Sequence, residues 1–121
     1  QPHHRLLALY TLSDVSLDSY PAGGCTTTRE ALALGAAVVT LPARYLGSRW
    51  SKAYYGIMGV DDLVAVDEDD YVRLASRLGT DTAWRAEVQA RIRAAVPRLY
   101  GRDEAVGAWQ RTLLELANES R

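Results

Sequence analysis

Residues 18–35, DSYPAGGCTTTREALALG, hold the side chains of this sequence best suited to chemistry. An acid ends an apolar-polar alternation, two glycines allow close backbone approach, and three threonines stand where a helix begins. Such a segment can cradle a phosphate. Unsatisfied N–H groups and a partial positive charge gather at a helix N-terminus, and threonine hydroxyls add donors. The segment lacks the Lys of a Walker A loop and the G-x-G-x-x-G of a dinucleotide fold, so neither of those nucleotide modes fits. Thr27 and Glu30 also have the T-x-x-E spacing of a capping box, the bland alternative for the same residues.

The other candidates are weaker. Cys25, the single cysteine, reads as a small buried filler before it reads as a nucleophile, and it cannot form an internal disulfide. Asp14 and Asp18 sit about 13 Å apart along a strand, too far to share a metal or act as a glycosidase pair, which leaves them structural roles. The run Asp67-Glu68-Asp69-Asp70 reads as a loop capping the next helix, because calcium-loop spacing is missing. No Cys/His cluster has zinc spacing, so no metal or other cofactor is expected.

The elements that must position these residues follow from periodicity. Leu6, Leu7 and Tyr10 predict a helix over 3–11, and residues 14–18 alternate like a short strand that stops at the Pro21-Ala22-Gly23-Gly24 breaker. A helix follows from Thr26, with Gly35 suited to its left-handed stop. Ala37-Val38-Val39-Thr40-Leu41 reads as a strand buried on both faces, 48–58 as a third helix, and 63–66 as a third strand. Helices are expected over about 70–78, 82–96 and 102–118. The last carries Val106, Trp109, Leu113 and Leu116 on one narrow apolar stripe, and Trp50, Trp84 and Trp109 are expected to fill the core or an interface. Strands separated by helices imply an α/β fold, a Rossmann-like parallel sheet with C-terminal helices.

Composition narrows the function. The chain has 121 residues, 48% hydrophobic, with 15 acids against 14 bases and a formal net charge of -1. That near balance offers no field for a polyanion, so nucleic acid is not an expected partner and any phosphate recognition must be local. No apolar run spans a bilayer and no signal-peptide pattern opens the chain, so no membrane partner is expected and the reading is cytoplasmic. Every base but Lys52 is Arg, a bias of GC-rich bacterial genomes. The chain opens at Gln1 without Met, and three strands are few for this architecture, so a domain truncated at its N-terminus is expected.

The stretch DVSLDSYPAGGCTTTREALALGAAVVTLPA, followed by Ser48-Arg49, resembles the donor-binding half of O-linked N-acetylglucosamine transferase-like glycosyltransferases, in particular bacterial members. The likeness continues through Gly59-Val60-Asp61-Asp62-Leu63-Val64-Ala65, Asp70-Tyr71, Trp84-Arg85 and Arg91-Ile92-Arg93. It implies half of a GT-B fold, with residues 1–121 as the C-terminal, UDP-sugar-binding part of the catalytic region. By resemblance, Gly24, Cys25, Thr26, Thr27 and Thr28 surround the donor diphosphate and Glu30 meets the ribose hydroxyls. Arg49 either supports the phosphates or ties its own loop, and His3 stands near the base. The implied reaction moves N-acetylglucosamine or a related hexose from UDP to a Ser/Thr hydroxyl of a protein acceptor, which a half domain preceding Gln1 would hold. The Lys that neutralises the leaving phosphate belongs to that half, and Lys52 does not stand in its place. No catalytic residue is therefore assigned, and the chain alone is expected to bind rather than to turn over. The pattern departs from the family at Ala22, Gly23, Cys25, Glu30, Ala33 and Ala37. The alternative reading is a non-catalytic nucleotide-binding or structural module.

Overall fold

Two short parallel strands carry the molecule, β1 (Ser16–Leu17) and β2 (Val38–Val39), in register Ser16 to Val38 and Leu17 to Val39. The computed structural model describes residues 2–119. Ser16 N–H donates to Ala37 O at 2.8 Å and Asp18 N–H to Val39 O at 2.9 Å, so the ladder extends one residue beyond each strand. Val38 and Val39 are buried on both faces, as their β-branched, uninterrupted apolar run requires.

The helices are α1 (His3–Leu12), α2 (Thr26–Ala33), α3 (Trp50–Met58), α4 (Glu68–Thr80), α5 (Thr82–Ala95) and α6 (Asp103–Glu119). Helix α1 packs on α2, α2 on α3 and α5, and α4 on α5 and β2. The α2 stop falls where the sequence places it. Gly35 has φ +77, and a Cβ there would lie 2.5 Å from Arg93 Cγ, so both the backbone angle and the approach of α5 demand glycine. The acidic run also behaves as read: Asp67 caps α4 by accepting from Asp70 N–H at 2.8 Å. Asp81 caps α5 in the same way through Trp84 N–H at 2.9 Å.

Three expectations are corrected. The third strand is only a parallel bridge between Thr40 and Val64, with Thr40 N–H on Leu63 O and Ala65 N–H on Thr40 O. The reason lies in Tyr55, a fully buried residue of α3. Its hydroxyl donates to Val38 O at 2.7 Å and accepts from Val38 N–H at 3.2 Å. A side chain thus satisfies the strand edge that a longer third strand would have paired. Second, α4 runs through Gly79 to Thr80 instead of ending near 78. Third, Trp109 does not fill the core, because the stripe it shares on α6 lies on the surface. Val106, Trp109 and Leu113 are each more than half exposed, and α6 contributes no buried residue. Trp84 packs partly buried against the core, whereas Trp50 is exposed.

The core runs from Ala31 and Leu32 through residues 36–39 to Tyr55, Met58 and Leu63, and on to Leu74, Leu78, Val88 and Ile92 of α4 and α5. Because the Tyr55 hydroxyl alone serves both polar groups of Val38 on that edge, Tyr55→Phe leaves a buried donor and acceptor unpaired. It is expected to lower the unfolding free energy by about 2–4 kcal/mol. Urea denaturation checks this, and a loss below about 0.5 kcal/mol contradicts the role assigned to the phenol.

Candidate functional site

Strand β1 ends in Asp18, only 7% exposed, whose carboxylate binds three separate parts of the chain. Oδ1 accepts from Gly24 N–H at 2.6 Å. Oδ2 accepts from Thr40 Oγ1 at 2.8 Å and from Ser51 Oγ at 2.6 Å. Its main-chain carbonyl accepts from Tyr71 Oη of α4 at 2.8 Å. A buried carboxylate is costly unless its oxygens are filled by donors, and here three donors fill them. The Tyr71 phenol is pushed up by burial and then by the negative charge of Asp18.

The glycines explain how the loop comes this close. A Cβ on Gly23 would sit 2.8 Å from Asp18 Oδ2, and one on Gly24 would sit 2.6 Å from Thr28 Oγ1 and 2.7 Å from Thr27 Oγ1. Neither position has room for a side chain. Gly23 N–H also donates to Gly47 O at 3.1 Å, which joins this loop to the one preceding α3.

Helix α2 starts directly above this hub. Cys25, exposed here at a helix end and not the buried filler expected, is its N-cap residue and makes no side-chain cap bond, so the amides of Thr26, Thr27 and Thr28 have neither a helical nor a side-chain cap partner. The capping box, the bland alternative for Thr27 and Glu30, does not form. Asp18 takes the Gly24 amide and the chain turns into the helix at Cys25, which places Thr27 inside the first turn instead of before it. Glu30 turns instead toward α1, where its Oε1 lies 3.5 Å from His3 Nε2.

The threonines divide into two kinds. Thr26 and Thr27 are exposed at the mouth, while Thr28 is buried with its Oγ1 3.2 Å from Ser51 Oγ. The Gly24 amide is likewise committed inward. A cleft of about 110 Å³ opens beside the mouth, lined by Tyr10 of α1, Asp18, Ser19, Gly24, Thr27 and Thr28 among others. It lies between the end of β1 and the start of α2, the crevice where open α/β sheets bind ligands. That volume is smaller than the roughly 300–1,000 Å³ of a pocket enclosing a whole small ligand.

Among the expected site residues, the structure thus brings Gly24, Cys25, Thr26, Thr27 and Thr28 together at one helix end and sets Glu30 and His3 side by side along the flank. Arg49 stands apart: its Nη1 donates to Ala43 O at 3.2 Å, tying down the loop before α3. Ser48 Oγ, which accepts from Ala43 N–H and donates to Tyr45 O, braces the same loop. Exposed Asp14 makes an ion pair at 3.0 Å with the mostly buried Arg85 side chain, a link to α5. Among the described residues no cluster of three or more His, Cys, Asp or Glu could hold a metal, and no helix is long and apolar enough to cross a membrane.

Sequence reasoning missed Thr40, Ser51 and Tyr71 as supports of the site. The available signal was a lone hydroxyl inside the apolar strand 37–41 and a serine near the start of a helix. Both are polar residues at positions that had to be buried.

The likeness to known proteins runs along most of the chain. The family model described as glycosyl transferase family 41 matches residues 5–99, which runs from within α1 through α5 and leaves out α6. The "Probable UDP-N-acetylglucosamine-peptide N-acetylglucosaminyltransferase SPINDLY" of Eustoma exaltatum subsp. russellianum is 34% identical over 91 residues, covering 75% of this chain and 10% of that protein. The UDP-N-acetylglucosamine-peptide N-acetylglucosaminyltransferase of Caenorhabditis elegans is 38% identical over 81 residues, 67% of this chain and 7% of its own length. A solved structure of a mutant O-GlcNAc transferase from Thermobaculum terrenum superposes with a TM-score of 0.83 at 29% identity, covering 100% of this chain and 24% of that one. The chain spans about a tenth of the length of the curated relatives it matches.

The carboxylate of Asp18 makes the sharpest test of the site's construction. Asp18→Asn turns one acceptor oxygen into an NH2 group that must face a donor. It is expected to lower stability by about 2–4 kcal/mol in urea denaturation. An unchanged midpoint contradicts the hub.

Proposed function

Because the chain belongs to glycosyl transferase family 41, we propose that residues 1–121 form the donor-binding part of a protein O-glycosyltransferase. Its donor is UDP-N-acetylglucosamine or a related UDP-hexose, and the acceptor is a Ser/Thr hydroxyl. The observation that carries this reading is the open N-terminus of α2, with its amides uncapped and the Thr26 and Thr27 hydroxyls exposed beside them. These groups are donors, and the helix end is positive, so the preferred ligand is an anion with several acceptor oxygens. A diphosphate has that chemistry.

In this reading each residue has a distinct part. Thr26 and Thr27 donate hydroxyl protons to the diphosphate, and the amides of the first α2 turn complete the cradle. Gly24 keeps the backbone low enough for close approach, and buried Thr28 forms the floor with Ser51. Glu30, one turn into the helix, accepts hydrogen bonds from the ribose diol, with His3 at its side. Cleavage of the sugar-phosphate bond leaves charge on the diphosphate. The helix mouth stabilises that charge as it develops, without a metal ion. Arg49 contributes by holding its loop. The protein acceptor and the group that activates it would come from the rest of the longer enzyme, in keeping with relatives about ten times the length of this chain. The arginine-for-lysine composition supports a bacterial source, and a cytoplasmic setting suits a chain with one unpaired cysteine.

Isothermal calorimetry with UDP and UDP-N-acetylglucosamine tests this directly. Both are expected to bind the chain. Replacing Thr26 and Thr27 together by Ala removes two hydroxyl contacts to a charged ligand and is expected to weaken binding about 10–100-fold with the fold intact by circular dichroism. Binding that is absent in the wild type, or unaffected by the double substitution, overturns the donor-site reading.

A further inference from the structure

The mouth of α2 has a second wall that neither the sequence resemblance nor the cleft on the α1 side accounts for. Tyr54, on α3, reaches to the N-cap of α2, where its Oη lies 3.3 Å from the Sγ of Cys25. Cys25 is the residue from which the uncapped amides start. The phenol is half-buried along its ring, which packs against the core, so its hydroxyl is held in place by the fold and not by the thiol. A thiol is a weak partner for a phenol, both as donor and as acceptor. The hydroxyl is therefore positioned at the helix end without a strong hydrogen bond of its own.

Arg29 stands on the same flank. Its guanidinium lies 5.2 Å from the centroid of the Tyr100 ring, it makes no ion pair among the described residues, and its charge reaches the Tyr54 phenol. An anion seated on the α2 amides would find a positive field and a phenolic proton on this side, at the N-cap residue from which those amides start.

We infer that Tyr54 is a further diphosphate-binding residue, donating its hydroxyl proton to a phosphate oxygen at the mouth of α2 and supplying the strong donor that the Cys25 thiol cannot. The inference rests on the donor-site reading above. Exchange of a thiol contact for a phosphate contact costs little and gains a charge-assisted bond. The proton is available throughout the neutral range, because burial and then the bond to Cys25 push the Tyr54 phenol up to about 12. Tyr54 is a binding residue in this account, and its contribution is confined to ligands that carry phosphate.

Tyr54→Phe keeps the ring and removes only the oxygen. UDP affinity, read by calorimetry, is expected to fall about tenfold, while the affinity for uridine, read by NMR titration, stays within twofold of the wild type. Thermal unfolding confirms that the variant folds. Unchanged UDP affinity in Tyr54→Phe overturns the inference, as does an equal loss for uridine, which would mark Tyr54 as a structural support only. The Thr26 and Thr27 double variant, run alongside, separates the two claims. If it loses UDP while Tyr54→Phe does not, the donor site stands and Tyr54 is not part of it. If neither loses UDP, the donor-site reading itself is wrong.

Discussion

A buried carboxylate that must find donors is the constraint on which this structure turns. Asp18 ends β1 in the interior, and its oxygens draw in the Gly24 amide, the Thr40 hydroxyl of the next strand and the Ser51 hydroxyl of α3. Its main-chain carbonyl holds α4 through Tyr71. One residue therefore fixes the end of the first strand, the glycine loop, the second strand and two helices relative to one another. Each hydrogen bond to a charged group contributes about 1.5–3 kcal/mol, and a buried carboxylate left without them would cost several. The arrangement is stable only when all of its parts are present, which gives the loop a single conformation.

That conformation has a consequence for function. With the Gly24 amide turned inward, the chain enters α2 at a cysteine that offers no cap, and the helix end stays open. Elsewhere in the fold, Asp67 and Asp81 close the starts of α4 and α5 with their own carboxylates. An acid at position 25 would do the same for α2 and would repel a phosphate. The residue types in the loop thus favour an incoming anion over internal satisfaction. In the proposed donor site, donors already fixed in place would need no reordering when charge develops on a leaving group.

Much of this was legible in the sequence. The helical periods, the left-handed stop at Gly35 and the acidic cap at Asp67 are local features, set by residues within one or two turns of each other. The α/β order and the threonine cluster at a helix start are local too; the first carries the fold class and the second the expectation of a site at that helix end. The hub was not legible, since Asp18 meets Thr40 and Ser51 across 22 and 33 residues of chain and no spacing rule links them. The third strand was overestimated because its apolar run is real, but the edge it would have paired is occupied by Tyr55 from another element. The T-x-x-E spacing forms no capping box, because α2 begins at Thr26 and holds Thr27 inside its first turn, while Glu30 turns to His3. The apolar stripe of α6 was read correctly as a stripe, yet its exposure in the fold shows that periodicity identifies a face without saying what covers it.

The central claim is that the open end of α2, held by Asp18, is where the donor phosphates sit. Backbone amide chemical shifts followed by NMR during a titration with UDP test it most directly, because they report on each N–H separately. The account predicts that the largest shifts fall on the amides of Thr26, Thr27 and Thr28, with smaller ones along the cleft at Tyr10 and Ser19. Shifts concentrated instead in the groove between Arg91 and Arg98 on the α5 side, with the α2 amides unmoved, would contradict it.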